Sequence, residues 1–143
     1  ELMTLNVVRK VSHFSPRAVI RLQGKLDRGE DLTPVEKLMV YQALSRTWRR
    51  HLAKTDFVVL SYIIDRSIGW GKPFFTASAE NVLKGTEMYS GVGVSRTAYY
   101  QSLKRLVELG AIHRRSMRDR TRIWPYVDWC VDDFVPEDPQ CDD

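Results

Sequence analysis

Arg96, Thr97, Tyr100, Gln101 and Lys104 follow one another at steps of one, three, one and three residues. Wound on an α-helix, that spacing gathers them on one outer face, because residues three and four apart are neighbours there. The face then offers a guanidinium, a hydroxyl, a phenol, a carboxamide and an ammonium. These groups hydrogen-bond base edges and phosphate oxygens. No acid falls between Ser95 and Lys104. The chemistry on offer is the gripping of a polyanion.

The elements that would position these groups are written around them. Residues 94–112 read VSRTAYYQSLKRLVELGAI. Ser95 suits an N-cap, where its hydroxyl accepts an unpaired amide of the first turn, and it joins the same candidate contact set. Gly91 and Gly93 precede it as a turn, and Gly110 supplies the stop. Tyr99, Leu103 and Leu106 recur at steps of four and three and form the opposite, inner face. The next run, AIHRRSMRDRTRIWPYV, predicts two short strands pairing around a polar tip at Met117-Arg118-Asp119-Arg120. Arg114, Arg115, Arg118, Arg120 and Arg122 sit on or beside that hairpin. A polar helix followed by an arginine-rich hairpin is the order of parts in a winged helix-turn-helix. There the helix enters the major groove, and the wing lies along the backbone or the adjacent minor groove.

Two stretches carry a family resemblance: FVVLSYIIDRSIGWGK at 57–72 and GVGVSRTAYYQSLKRLVELGAI at 91–112. The segment from Asp56 to Ile112 resembles the winged-helix domain of phage and plasmid replication proteins, of the type at the N-terminus of replication protein O. It is similar also to bacterial winged-helix regulators. The resemblance implies double-stranded DNA as the partner, with Ser95, Arg96, Thr97, Tyr100, Gln101 and Lys104 as the recognition-helix set. The five arginines would be wing contacts. Under the closer match the expected process is replication initiation at repeated origin sites. Under the broader and more frequent set it is transcription control at an operator. A winged helix serving as a protein-interaction scaffold is the remaining class.

Further along the chain the pattern is helical with decorations. Ser15-Pro16 opens a helix running to about Gly29, with Val19, Leu22 and Leu26 inside and a basic stripe of Arg17, Arg21, Lys25 and Arg28 outside. Thr33-Pro34-Val35-Glu36 is a capping box. The helix it opens is expected over about 34–51, with Val35, Leu38, Leu44, Trp48 and Leu52 as its apolar seam and Arg46, Arg49 and Arg50 at its end. These two helices either cover the core or build a homodimer interface; the sequence does not choose. Thr55 or Asp56 is the expected cap of a well-buried helix over 57–68, apolar at Phe57, Val58, Leu60, Ile63, Ile64 and Ile68, with Asp65 and Arg66 as its polar edge. The Gly69-Trp70-Gly71-Lys72-Pro73 run ends it, with Trp70 expected as a lid on the core. Phe74-Phe75-Thr76 is expected to be a strand pairing with the wing, and Ser78 to Leu83 a short helix. The connection from Gly85 to Val94 is longer than the three or four residues usual for such a turn, and Tyr89 in it could reach a phosphate. Pro125 suggests that the stretch Ile123 to Val127 is an edge strand, and Trp124 and Trp129 are expected to pack on the body.

Charge supports the same partner. The chain has 143 residues, 22 basic and 18 acidic. Seven of the acids, Asp128, Asp132, Asp133, Glu137, Asp138, Asp142 and Asp143, lie in the last 16 residues, which carry no base. Residues 1–127 therefore hold 22 bases against 11 acids. An excess of that size favours a polyanion through counterion release. The acidic tail, expected to be disordered from about Pro136, would screen that surface or lead into a further domain. Glu1 stands where a methionine would, and either a trimmed chain or a piece of a longer protein is the expectation.

Cys130 and Cys141, with His13, His51 and His113, show no zinc-ligand spacing, and no metal or cofactor is expected. Their count alone permits a disulfide; a reducing compartment favours thiols. No apolar run is long enough to span a membrane, and no signal-peptide pattern opens the chain. Neither a phosphate-cradling glycine loop, a nucleophile elbow nor a histidine beside a nucleophile is present, so catalysis is not expected. The expected fold is mainly α with a small β-hairpin (α+β), a winged helix over 55–127 with a helical extension over 1–54 and an acidic tail over 128–143. The expected location is the cytoplasm, on the bacterial nucleoid, with no small-molecule ligand.

Overall fold

The computed structural model describes residues 8–11, 14–129 and 131–134. Its first helix, α1 (Pro16–Asp27), starts because the Ser15 side chain accepts the Ala18 amide at 3.2 Å and proline fills the first helical position. Ala18, Leu22, Gln23 and Leu26 form its buried face.

The capping box of α2 (Pro34–Arg46) closes both ways: Thr33 Oγ1 accepts the Glu36 amide at 3.1 Å, and Glu36 Oε1 accepts the Thr33 amide at 2.9 Å. The helix ends five residues earlier than expected, and Trp48–His51 continues as a 3-10 turn. Its seam also differs. Val35 and Leu38 are 68% and 55% exposed, while Glu36, Val40, Ala43 and Leu44 are buried. The helix has apolar residues all round, so sequence could not say which side faces in; the cross-helix bonds of Glu36 decide it. That carboxylate accepts Arg21 Nε at 3.2 Å and Lys25 Nζ at 2.8 Å, so half of the basic stripe of α1 is spent inside the protein. Arg28 pairs with Glu30.

Burial works to raise the Glu36 carboxyl. Lys25, the Thr33 amide and Arg21 outweigh it and pull the group down to about 2. A lowered carboxyl contributes stability that is present above its unfolded range and lost as pH falls through the folded value. The melting temperature should therefore drop between about pH 5 and pH 2, and Glu36→Gln should flatten that slope. The contribution is about 1–2 kcal/mol once the half-exposed Arg21 is discounted for solvent screening. Equal pH profiles for the two proteins would contradict the pairing.

The third helix, α3 (Lys54–Arg66), begins after Ala53 with no side-chain cap, so neither Thr55 nor Asp56 plays that part. Asp56 instead lies buried in the first turn. Leu60, Ile63 and Ile64 are buried as expected and Val59 joins them, whereas Val58 is exposed. After a 3-10 turn at Ile68–Trp70, Gly71 takes φ +78°, and a side chain there would meet Asp31. Trp70 is 56% exposed and is not the core lid. The left-handed turn swings it outward, where its ring meets Tyr89 edge-on at 5.9 Å.

A short strand, β2 (Phe75–Ala77), precedes α4 (Ala79–Lys84), whose cap is Ser78 accepting the Asn81 amide at 3.2 Å. Then come α5 (Arg96–Leu109), β3 (Ile112–Ser116) and β4 (Thr121–Pro125). The three strands make an antiparallel sheet in the order β2-β4-β3. The C-terminal strand is thus central, not at the edge. Pro125 is tolerated because β2 pairs only as far as Ile123, leaving no neighbour on that side at Pro125. A separate pair joins β1 (Val8–Val11) to β5 (Val131–Phe134), the latter within the stretch expected as tail. His13, Cys130, Cys141 and the tail beyond Phe134 lie outside the described residues. The chain is mainly helical with a small antiparallel sheet, an α+β protein.

One apolar cluster runs from Phe14 through α1, α2 and α3 to Trp129. Trp48 packs at 5.0 Å from Trp129 and 6.1 Å from Phe14. The Val127 amide donates to Gln23 Oε1 at 2.9 Å across 104 residues of sequence. The leading helices share the core of the hairpin and α5. No helix among the described residues is long and apolar enough to cross a membrane.

Candidate nucleic-acid interface

The cap and stop of α5 are as the sequence implies. Ser95 Oγ accepts the Ala98 amide at 3.1 Å, and Gly110 takes φ +81° as the left-handed end. Tyr99, Ser102, Leu103 and Leu106 face the core. Ser95, Arg96, Thr97, Tyr100, Gln101 and Lys104 are all exposed, and neither α1 nor α2 covers them. None of the described ion pairs uses Arg96 or Lys104. Glu80 on α4 pairs with Lys84 at 2.9 Å, and its carboxyl also feels the Arg96 charge.

A polar contact that sequence reading missed also pins α5 to α3. Asp56 Oδ1 accepts Ser102 Oγ at 2.7 Å and Arg105 Nη2 at 2.7 Å, and its Oδ2 accepts Arg105 Nε at 2.9 Å. Burial pushes the Asp56 carboxyl up, but the Arg105 and Ser102 hydrogen bonds and the guanidinium charge outweigh it and hold the group below its ordinary value. An acid in the first turn of a helix whose buried face is otherwise apolar was the available signal, since such a group needs a cation. Its partner 49 residues away was not readable. Asp56→Ala strands the buried Ser102 hydroxyl and the inner edge of the guanidinium, and should cost about 2 kcal/mol of stability. Denaturant unfolding checks this; a loss under about 0.5 kcal/mol would make the contact a bystander.

The long connection between α4 and α5 is ordered by backbone bonds. Thr86 N donates to Tyr89 O at 2.8 Å, Val92 N to Val82 O at 2.8 Å, and Gly85 bridges Ser90. The Tyr89 ring is packed between Arg66 and Trp70. The Arg66 guanidinium lies 4.0 Å over its ring and 4.7 Å over that of Phe75, and donates to Tyr62 Oη at 2.8 Å. This clamp fastens the loop to the end of α3.

The hairpin tip is a four-residue turn closed by Met117 N to Arg120 O at 2.7 Å. Arg118 and Arg120 are exposed there. Asp119 and Arg120 line a cleft of about 340 Å³ with Ser78, Asn81 and Thr86, so the tip folds beside the start of α4. The other three arginines do not share one surface. Arg114 alternates with buried Ile112 on the inward face and is near enough to α5 for its charge to act on the Tyr99 hydroxyl. Arg115 and Arg122 are register partners on the opposite face of the sheet. Arg122 Nε donates to Thr76 Oγ1 at 3.2 Å. The five residues expected as one wing set are therefore split into a tip, an inner and an outer group.

No family model, curated protein or solved structure matches the chain. The geometry stands by itself: a capped helix with a locked apolar side and an exposed polar side, flanked by an arginine-bearing hairpin. That surface can bind an anion along the helix and along the hairpin tip. Among the described residues no three His, Cys, Asp or Glu side chains gather as metal ligands.

Proposed function

We propose that this protein is a sequence-specific double-stranded DNA-binding protein of winged-helix type, a bacterial or mobile-element regulator acting from the cytoplasm. The observation that carries this reading is the orientation of α5. Tyr99, Leu103 and Leu106 are buried, and Arg96, Thr97, Tyr100, Gln101 and Lys104 are left to meet base edges. Arginine is suited to guanine and glutamine to adenine. Arg118 and Arg120 at the tip are placed to neutralise phosphates. The order of helix, turn, helix and hairpin supports the same reading, as does the basic excess of residues 1–127. Replication initiation at repeated sites is a second use of the same surface, resting on the resemblance of residues 57–72 and 91–112 to replication proteins.

Fluorescence-anisotropy titration of duplex DNA at two salt concentrations tests the proposal. Gln101→Ala or Arg96→Ala should relax base preference at a cost of about 1–3 kcal/mol on the preferred site and almost nothing on random duplex. Arg118→Ala should weaken all duplexes alike and reduce the salt slope by about one. Equal losses on specific and random duplex for both kinds of variant would refute this division of labour. Binding no better than background for any duplex would leave the scaffold role standing in its place.

A further inference from the structure

We propose that the outer face of the three-stranded sheet is a stacking shelf for unpaired bases of single-stranded DNA. The proposal rests on the reading of the hairpin as lying against DNA, and it adds a second binding mode to it. Strand alternation sends Phe75, Ile112 and Ile123 into the core and Phe74, Thr76, His113, Arg115, Arg122 and Trp124 to the other face. The register sets His113 opposite Trp124, and Arg122 between Thr76 and Arg115. The result is one row of rings across the sheet. Trp124 lies 6.1 Å from Phe74 and 5.1 Å from His113.

Beside that row runs a row of guanidiniums. Arg122 is pinned by Thr76 and lies 4.3 Å over the Phe74 ring, with Arg115 next to it. Phe74 and Trp124 are half-buried and belong neither to the apolar cluster nor to the side chains packed against it. His113 and Arg115 are exposed. Among the described residues the face carries cations and π-surfaces and no acid. A polyanion with free bases satisfies both at once: the rings stack on base faces, and the guanidiniums meet the intervening phosphates. A duplex, whose bases are already stacked, uses only the guanidiniums.

Affinity measured on four probes tests the shelf: a short oligo(dT), an abasic strand of the same length, oligo(U), and random duplex. The full chain should bind oligo(dT) more tightly than the abasic strand. Trp124→Ala should lower oligo(dT) affinity about tenfold, with Trp124→Phe retaining most of it and duplex affinity unchanged in both. His113→Ala, at an exposed ring outside the core, should weaken oligo(dT) as well and decides the matter if Trp124→Ala unfolds. Equal affinity for oligo(dT) and the abasic strand would overturn the proposal, as would an unchanged oligo(dT) affinity in both the tryptophan and the histidine variants. Tighter binding of oligo(U) than of oligo(dT) would overturn the DNA assignment in favour of RNA. Loss of duplex binding alone would sink the function proposed above and leave the shelf in place.

Discussion

Gly91→Ala should lower the melting temperature by about 10 °C, a loss of roughly 3 kcal/mol, and should take duplex affinity down with it. A Cβ at Gly91 would sit 2.3 Å from the Leu83 carbonyl oxygen and 3.0 Å from its carbon. Both are backbone atoms, so no rotamer change can relieve the clash. The loop would have to lift, breaking the Val92 to Val82 bond and exposing Val92, which is buried. Because this loop leads directly into Ser95, its displacement tilts the first turn of α5, where Arg96, Thr97 and Tyr100 sit. Gly93 provides the control. Its φ is +88° but nothing lies within 4 Å, so Gly93→Ala should cost only the 1–2 kcal/mol or so of a left-handed backbone. Circular dichroism melts of the two variants separate these effects. A Gly91→Ala protein melting with the wild type would mean that the loop is not seated as described.

Trp48→Ala should be the most damaging single truncation, at about 3–5 kcal/mol. The residue is 1% exposed and wedged between Phe14 and Trp129. It joins the first two helices to the segment after the hairpin, so its removal should shift one cooperative transition for the whole chain. Duplex affinity measured well below that transition should stay near wild type, since the indole is remote from the exposed face of α5. The indole N–H groups of Trp48 and Trp129 both lack an acceptor among the described residues. Trp48→Phe, which keeps a ring and removes one unsatisfied donor, should therefore cost much less than alanine. Two separate melting transitions, with only one moved by Trp48→Ala, would show that the leading helices fold apart from the rest.

The parts legible in sequence were those specified by near neighbours. Ser95, Gly110 and the spacing of Tyr99, Leu103 and Leu106 fixed the ends and the rotation of α5. Ser78 and the Thr33–Glu36 box did the same for the starts of α4 and α2. The hairpin tip and its pairing with β2 could be read because strand residues flank a short polar run. Distant contacts decided what was misread. Val35 and Leu38 look like a seam until Glu36 turns the opposite side of α2 toward Arg21 and Lys25. Trp70 looks like a lid until Gly71 turns the chain away. Pro125 reads as an edge signal, yet β4 is central, and the proline is tolerated because β2 is too short to reach it. Asp56 and Arg105, 49 residues apart, could only be paired by the fold.

The arginines of the hairpin teach the same lesson at the functional level. Composition gathers five of them in nine residues, but a strand sends alternate side chains to opposite faces. Charge content was readable, and its partition between a tip, an inner side and an outer shelf was not.

Selection of bound sites from a pool of random duplex DNA, run in parallel for wild type and Gln101→Ala, tests the central claim most directly. The wild type should enrich a defined motif, and the variant should lose preference at one position of that motif while keeping the others. An unenriched wild-type pool, or identical motifs from the two proteins, would contradict the claim that the exposed side of α5 reads bases.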